Sequence, residues 1–309
     1  MIRMPGQSHQ GPLPSLTDTQ RTLAQELHSH VQTLAGQIGE RNVFHHDRLV
    51  MAADYIRTTL AGAGHEVRLQ PYEVGGKICE NIEAEVRGRE RPDDIIVIGA
   101  HYDSVQGSPG ANDNASGVAA MLALARAFAN IAPARTLRFV AFTNEEPPFF
   151  QTEHMGSRVY AKRSREGGEK IVLMLSLETI GYYSDEPVSQ HLLFPLNLIY
   201  PSTGNFIAFV SNVENGFLVR QLVGSFRQQA QFPSEGGALW DVIPGVGWSD
   251  HWAFWKEGFP AVMVTDTAPF RYPAYHSHAD RPELVQYERM ARVVTGLQAV
   301  IAEMANTLR

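Results

Sequence analysis

The sequence predicts a three-layer α/β/α sandwich built around a mixed, mostly parallel central sheet. Short, continuously apolar runs such as "IIVIGA" (95–100) recur along the chain, as suits strands covered on both faces. Longer stretches with apolar residues at helical spacing lie between them. The two kinds alternate through most of the 309 residues, an order that yields a parallel sheet between helices.

Each element follows in turn. Residues 1–14 are polar with Gly and Pro, and read as a flexible tail ahead of a single domain over 15–309. Leu23, Leu27, Val31 and Leu34 line one face of a helix within 15–41. A second helix spans 47–64 and stops at Gly62 or Gly64. Residues 65–74 and 80–88 alternate like half-buried strands, 91–94 form a turn, and 95–100 form a central strand. Helices are expected at 115–130, 156–165, 215–230 and 283–308, and strands at 136–142, 171–178, 205–211 and 259–266. Asp280 is the expected N-cap of the last helix, with Glu283 three residues on. Two connections, 183–204 and 231–249, are long and rich in Pro, Gly and Ser, a length that often carries function.

Composition narrows the function classes. Hydrophobic residues make up 44% and charged residues 19%, ordinary for a globular chain. A net charge of -7 argues against nucleic acid as a partner. Cys79 is the only cysteine, so an intrachain disulfide is excluded and any metal site must draw on His, Asp and Glu. No apolar run approaches the roughly 20 residues that cross a bilayer. The start "MIRMPGQSHQGPLP" lacks the apolar core of a signal peptide. A cytoplasmic protein without membrane contact is the expectation, or a secreted one if a leader has been removed.

Open α/β sheets bind ligands beyond the carboxyl ends of their strands. Four successive strand ends here carry His or carboxylate groups: His101, Asp103 and Asp113; Glu145 and Glu146; Glu178; His276 and His278. A single His-x-Asp or Glu-Glu pair is usually a solvated surface feature. Convergence is what matters, because gathered carboxylates repel one another unless cations neutralise them. A donor set of nitrogen and oxygen suits zinc or a similar divalent ion.

The ordered segments "GAHYDS", "GANDNASGVAAMLALARAF", "FTNEE", "MGSRVYA", "SDHWAFWKEGFPAV" and "YHSHAD" resemble the zinc peptidases that include bacterial leucyl aminopeptidases, glutamate carboxypeptidase II and glutaminyl cyclase. The resemblance covers roughly residues 45 to 305. It implies two zinc ions bridged by Asp113, one completed by His101 and Glu178, the other by Glu146 and His276. It assigns Asp103 to orienting His101, Glu145 to the general base, and Tyr275 to the developing oxyanion. It favours His276 over His278 and implies a cis peptide between Asp113 and Asn114. Peptides are the implied substrates, and an aminopeptidase is the implied activity.

Two departures from the family pattern stand out. Glu178 replaces the Asp usual in the aminopeptidases. The stretch "PPFFQTEH" (147–154) is inserted after the Glu-Glu pair, where Phe149 and Phe150 are expected either to shape a substrate pocket or to pack locally. His45 and His46 read as a solvated helix start, and His154 as a surface residue. Asp250 and His251 are expected to support or line the site. A carboxypeptidase or dipeptidase would need an arginine for the substrate carboxylate, for which Arg271, Arg158 and Arg220 are available. A one-zinc glutaminyl cyclase and a non-catalytic binding domain are two further readings. Those cyclases usually carry Trp where Tyr275 stands, and binding domains of this kind lose ligands.

Overall fold

The computed structural model describes residues 3–307. Eight strands form one sheet: β1 (Val67–Val74), β2 (Lys77–Val86), β3 (Arg91–His101), β4 (Arg135–Phe142), β5 (Lys170–Glu178), β6 (Ile207–Asn212), β7 (Ser234–Leu239) and β8 (Ala261–Thr265). Their spatial order is β1-β2-β4-β3-β5-β8-β6-β7. The four central strands, β4, β3, β5 and β8, run parallel. β1 and β2 form an antiparallel hairpin that joins β4, and β6 is antiparallel to β8.

The apolar run of β3 explains why helices cover both faces. Ile96, Ile98 and Ala100 point into one core, whereas Ile95 and Val97 point into the other. The larger core is closed by α1 (Asp18–Val31), α2 (His46–Gly62), α3 (Gly117–Phe128), α5 (Gly216–Gln229) and α7 (Tyr287–Asn306). The smaller is closed by α4 (Gly156–Glu166) and α6 (His251–Lys256). There Phe142, Tyr160 and Phe254 pack with ring centroids 5.5–6.1 Å apart, within the range of favourable aromatic contacts.

β3 leads through α3 to β4 on one side, and the chain then crosses to β5 on the other side of β3. The crevice at the carboxyl ends of β3 and β5 is therefore the place where this topology binds ligands.

Several expectations need correction. Residues 91–94 are not a turn: β3 already pairs with β4 at Arg91↔Arg135, with a register shift before Ile95. Part of the 231–249 connection is β7, an edge strand parallel to β6. Its sequence "SEGGAL" carries two glycines and no apolar alternation, so it does not read as a strand. The first helix stops short of 41: after Val31 the turns widen over Gln32–Ile38, and Gly39 takes φ 78°. Asp280 does not cap the last helix, which begins at Tyr287 with no side-chain cap. Its carboxylate is engaged elsewhere, as described below. Leu308, the end of that predicted helix, lies outside the described residues, as do the first two residues of the tail.

The described residues before α1 form no helix or strand. Met4 packs on the larger core, Arg227 donates to the carbonyls of Pro5 and Gly6 at 3.2 Å, and Ser8 Oγ accepts from Ser234 N at 2.8 Å. No described helix is long and apolar enough to cross a membrane.

Candidate active site

His101 ends β3 and Glu178 ends β5, on neighbouring parallel strands. Asp113 enters from the connection between β3 and α3. Its Oδ1 lies 3.3 Å from His101 Nε2, and Glu178 Oε2 lies at the same 3.3 Å. The longer Glu178 side chain thus still reaches the ring nitrogen. Asp113 Oδ2 faces the other way, 3.1 Å from His276 Nε2, and Glu146 Oε2 lies 3.3 Å from that nitrogen. Two groups result, His101–Asp113–Glu178 and Asp113–Glu146–His276, each with ligand atoms within 4.8 Å of one another. His278 is exposed and belongs to neither group.

The Asp113 loop is fixed from several directions. The Asp280 carboxylate accepts the backbone N–H groups of Asn112 (2.8 Å) and Asp113 (3.0 Å), and the Tyr272 hydroxyl (2.8 Å). Asn114 Oδ1 accepts from the backbone N–H of Gly117 and Thr179, while its Nδ2 donates to Leu177 O. A Cβ at Gly117 would meet Leu177 O at 2.2 Å, so only glycine lets α3 start this close to β5. The Asp113–Asn114 peptide is cis, as the resemblance implies. Arg41, fully buried, donates to the carbonyls of Tyr102, Pro109 and Gly110 and so ties down the preceding loop. Sequence reading missed Asp280 and Arg41 in these roles. For Asp280 a signal existed: its spacing after His276 belongs to the motif that singled out that histidine.

Asp103 has two engagements. Its Oδ1 lies 3.5 Å from His101 Nδ1, and its carboxylate accepts the backbone N–H of Glu145 and of Glu146, both at 3.1 Å. The Glu145 carboxylate is thereby held 3.8 Å from His101 Nε2 without belonging to either group of three. Asn144, Thr179 and His276 have positive φ of 58°, 44° and 53°. Non-glycine residues in that region persist only where their surroundings enforce it, and they gather at functional sites. Tyr275 stacks on His276, centroids 3.9 Å apart. Ser249 Oγ donates to Glu178 Oε2 at 2.7 Å, braced by Ser176 Oγ at 2.8 Å. Neither serine stood out in the sequence.

Burial drives the electrostatics. It raises Glu145 well above the usual carboxylate range and Glu146 to about 7, with the Asp113 charge adding to the latter. Burial alone would depress His276, but hydrogen bonds to Asp113 and Glu146 hold it up at about 10. Among the described residues, His101 and His276 are the cationic groups within 4 Å of these acids, and the buried Arg41 adds a positive charge farther off. His101 Nε2 and Glu146 Oε1 are buried without a hydrogen-bond partner. A divalent cation bound there would satisfy those atoms and remove the repulsion. The nitrogen and oxygen donors fit zinc.

Beside Glu178 and Tyr275 opens a cavity of about 770 Å³, part of it open to solvent. Its walls include Leu192, Leu196, Tyr200, Phe206, Trp248 and Phe270, several drawn from the two long connections. Among the described residues lining it there is no Lys or Arg. Phe149 and Phe150 do not line it. Phe149 packs against the larger core and lies edge-on to His154 at 6.3 Å. Asp250 and His251 are buried behind the site, also off the cavity wall. His251 Nε2 lies 2.7 Å from Val246 O, and burial lowers its pKa to about 4. Arg158 pairs with Glu257, Arg220 donates to Arg3 O, and Arg271 is buried against Gln190 and Phe206 O.

Comparison with known proteins places the chain in a family. Residues 81–301 match Peptidase family M28. An uncharacterized protein of Escherichia coli K12, YfbL, is 35% identical over 282 residues, covering 88% of this chain and 86% of the relative. Among solved structures, a zinc aminopeptidase from Bacillus subtilis superposes with a TM-score of 0.72 at 16% identity, covering 92% of this chain and 95% of its own. A glutaminyl cyclase from Bacteroides thetaiotaomicron superposes at 0.68 and 16%, covering 94% and 99%. At such identities these two structures speak to the fold. The family match spans most of the chain and contains every residue of the two histidine–carboxylate groups, together with Glu145. The chain belongs to peptidase family M28 and is a zinc-dependent metallopeptidase.

Proposed function

We propose that this enzyme removes N-terminal residues from peptides with two zinc ions, one held by His101, Asp113 and Glu178, the other by Asp113, Glu146 and His276. The observation that carries the reading is the pair of groups sharing Asp113, with the free Glu145 carboxylate beside them. When bound, zinc acidifies water and polarises a carbonyl. Glu145, buried and oriented through the Asp103–N–H contacts, takes the proton of the attacking water and passes it to the leaving amine. Burial raises its proton affinity, which suits that shuttle. Asp103 holds the His101 ring so that Nε2 faces Asp113 and Glu178. The Tyr275 hydroxyl stabilises charge developing on the carbonyl oxygen.

The polarity of the cavity favours an aminopeptidase over a carboxypeptidase. A free α-amine is a cation and suits a mouth with Glu178 and no cationic side chain. A C-terminal carboxylate needs an arginine, and Arg158, Arg220 and Arg271 are all engaged elsewhere. Tyr275 and two complete metal groups weigh against a one-zinc cyclase. The test is hydrolysis of matched free and N-blocked peptides, with and without chelator. We expect turnover of free peptides only, lost on chelation and regained with zinc. Equal turnover of N-blocked peptides would sink the aminopeptidase reading.

A further inference from the structure

One transverse row of the sheet links the metal groups to a second carboxylate. Glu178 on β5 pairs with Thr265 on β8, Thr265 with Ala208 on β6, and Ala208 with Glu235 on β7. Residues in register on adjacent strands point to one face of a sheet, and all four line the cavity. Neighbouring strands lie about 4.8 Å apart, so the two glutamates are separated by three such steps, roughly 14 Å between backbones. The middle of the row is low because Ala208 is small. Val210 and Met263 flank it with apolar surface.

Glu235 forms a loose ion pair with Arg227, whose Nη2 lies 3.6 Å away, beyond hydrogen-bond length. Arg227 instead donates to Ser234 O and Oγ and to the carbonyls of Pro5 and Gly6. Among the described residues no N–H or O–H donates to the Glu235 carboxylate. Among the described residues lining the cavity none is Lys or Arg. A half-buried acceptor therefore waits at the far end of an apolar trough.

We infer that Glu235 sets substrate preference, and that the cavity takes N-terminal residues with a long apolar stem and a cationic tip, lysine or arginine. This rests on the aminopeptidase reading. The stem lies over Ala208, Val210 and Met263, and the tip forms a charge-assisted hydrogen bond with Glu235, the stronger kind. A leucine side chain ends well short of it.

The experiment compares kcat/KM on lysyl, arginyl, norleucyl and leucyl 7-amido-4-methylcoumarin substrates for the zinc-loaded wild type and Glu235→Gln. Norleucine matches the lysine stem and lacks the charge. We expect the wild type to favour lysine over norleucine at least tenfold, and the variant to lower that ratio at least tenfold. A wild-type ratio at or below one overturns the assignment, as does an unchanged ratio in the variant. If the variant does not fold, the wild-type ratio alone decides. Leucine turnover without lysine preference refutes only the pocket assignment, whereas absence of all N-terminal hydrolysis refutes the aminopeptidase reading with it.

Discussion

The side of the sheet at the carboxyl ends of β3, β5 and β8 divides into two halves of opposite character. Over β3 and β5 the chain gathers buried acids, the buried His101 and the more exposed His276, and a dense set of backbone hydrogen bonds. Over β8, β6 and β7 it leaves an open trough walled by long connections, mostly apolar and free of cationic side chains. The first half needs geometry fixed to a fraction of an ångström, because metal ligation and proton transfer fall off steeply with misplacement. The second needs volume and sparse polarity, because a side chain is selected by what it buries and what its tip meets. The contrast teaches that one sheet edge can be rigid for chemistry and roomy for recognition when the two tasks sit on different strands.

The largest effect expected from breaking this division is at Glu145. Glu145→Gln should lower kcat by about 10²–10⁴-fold, the span of general acid–base catalysis, while metal content measured by atomic absorption stays at the wild-type value. A variant with full turnover would remove Glu145 from the reaction. Next comes Asp280, which touches no proposed metal ligand's side chain yet holds the Asp113 backbone. Asp280→Ala should weaken metal binding by about 10–100-fold, as losses around ligands do, read by competition with a chromophoric chelator. On the other half, Ala208→Leu should fill the trough. We expect kcat/KM for long N-terminal side chains to fall roughly tenfold, the scale of small changes in pocket shape, with metal content unchanged. Loss of metal in that variant would show that the halves are coupled.

A pair remote from both halves gives the smallest effect. Glu26 on α1 is bidentate to Arg126 on α3, at 2.7 Å for each bond. Burial raises its pKa, but His30 and Arg126 outweigh that and hold it at about 2. A depressed carboxylate stabilises the fold above its unfolded value near 4.5, and that contribution is lost as pH falls toward 2. Partly exposed pairs contribute at most about 1 kcal/mol. The Tm gap between wild type and Glu26→Gln should therefore be small at pH 7 and vanish near pH 2, with activity unaffected at neutral pH.

The rigid half was the more legible in the sequence. Apolar strand runs announce where strands end, and His101, Glu145, Glu146 and Glu178 sit at or just after those ends, so spacing along the chain already implied convergence. The same logic mistook Asp280 for a helix cap, because a polar residue ahead of a helical pattern looks identical whether it bonds to its own helix or to a loop far away in sequence. The trough was nearly illegible. β7 reads as a Gly-rich loop, and Phe149 and Phe150 looked well placed for a pocket that lies elsewhere.

By itself the sequence determined the layer architecture and the candidate ligands, because those depend on local periodicity and on which residue types stand at strand ends, and its ordered motifs carried the family resemblance. Only the tertiary structure decided that Asp113 faces both histidines, that the three candidate arginines are engaged away from the cavity, and that Glu178 and Glu235 share one row. Such facts depend on strand order and register. Those are set by packing among distant segments, which no short window of sequence contains.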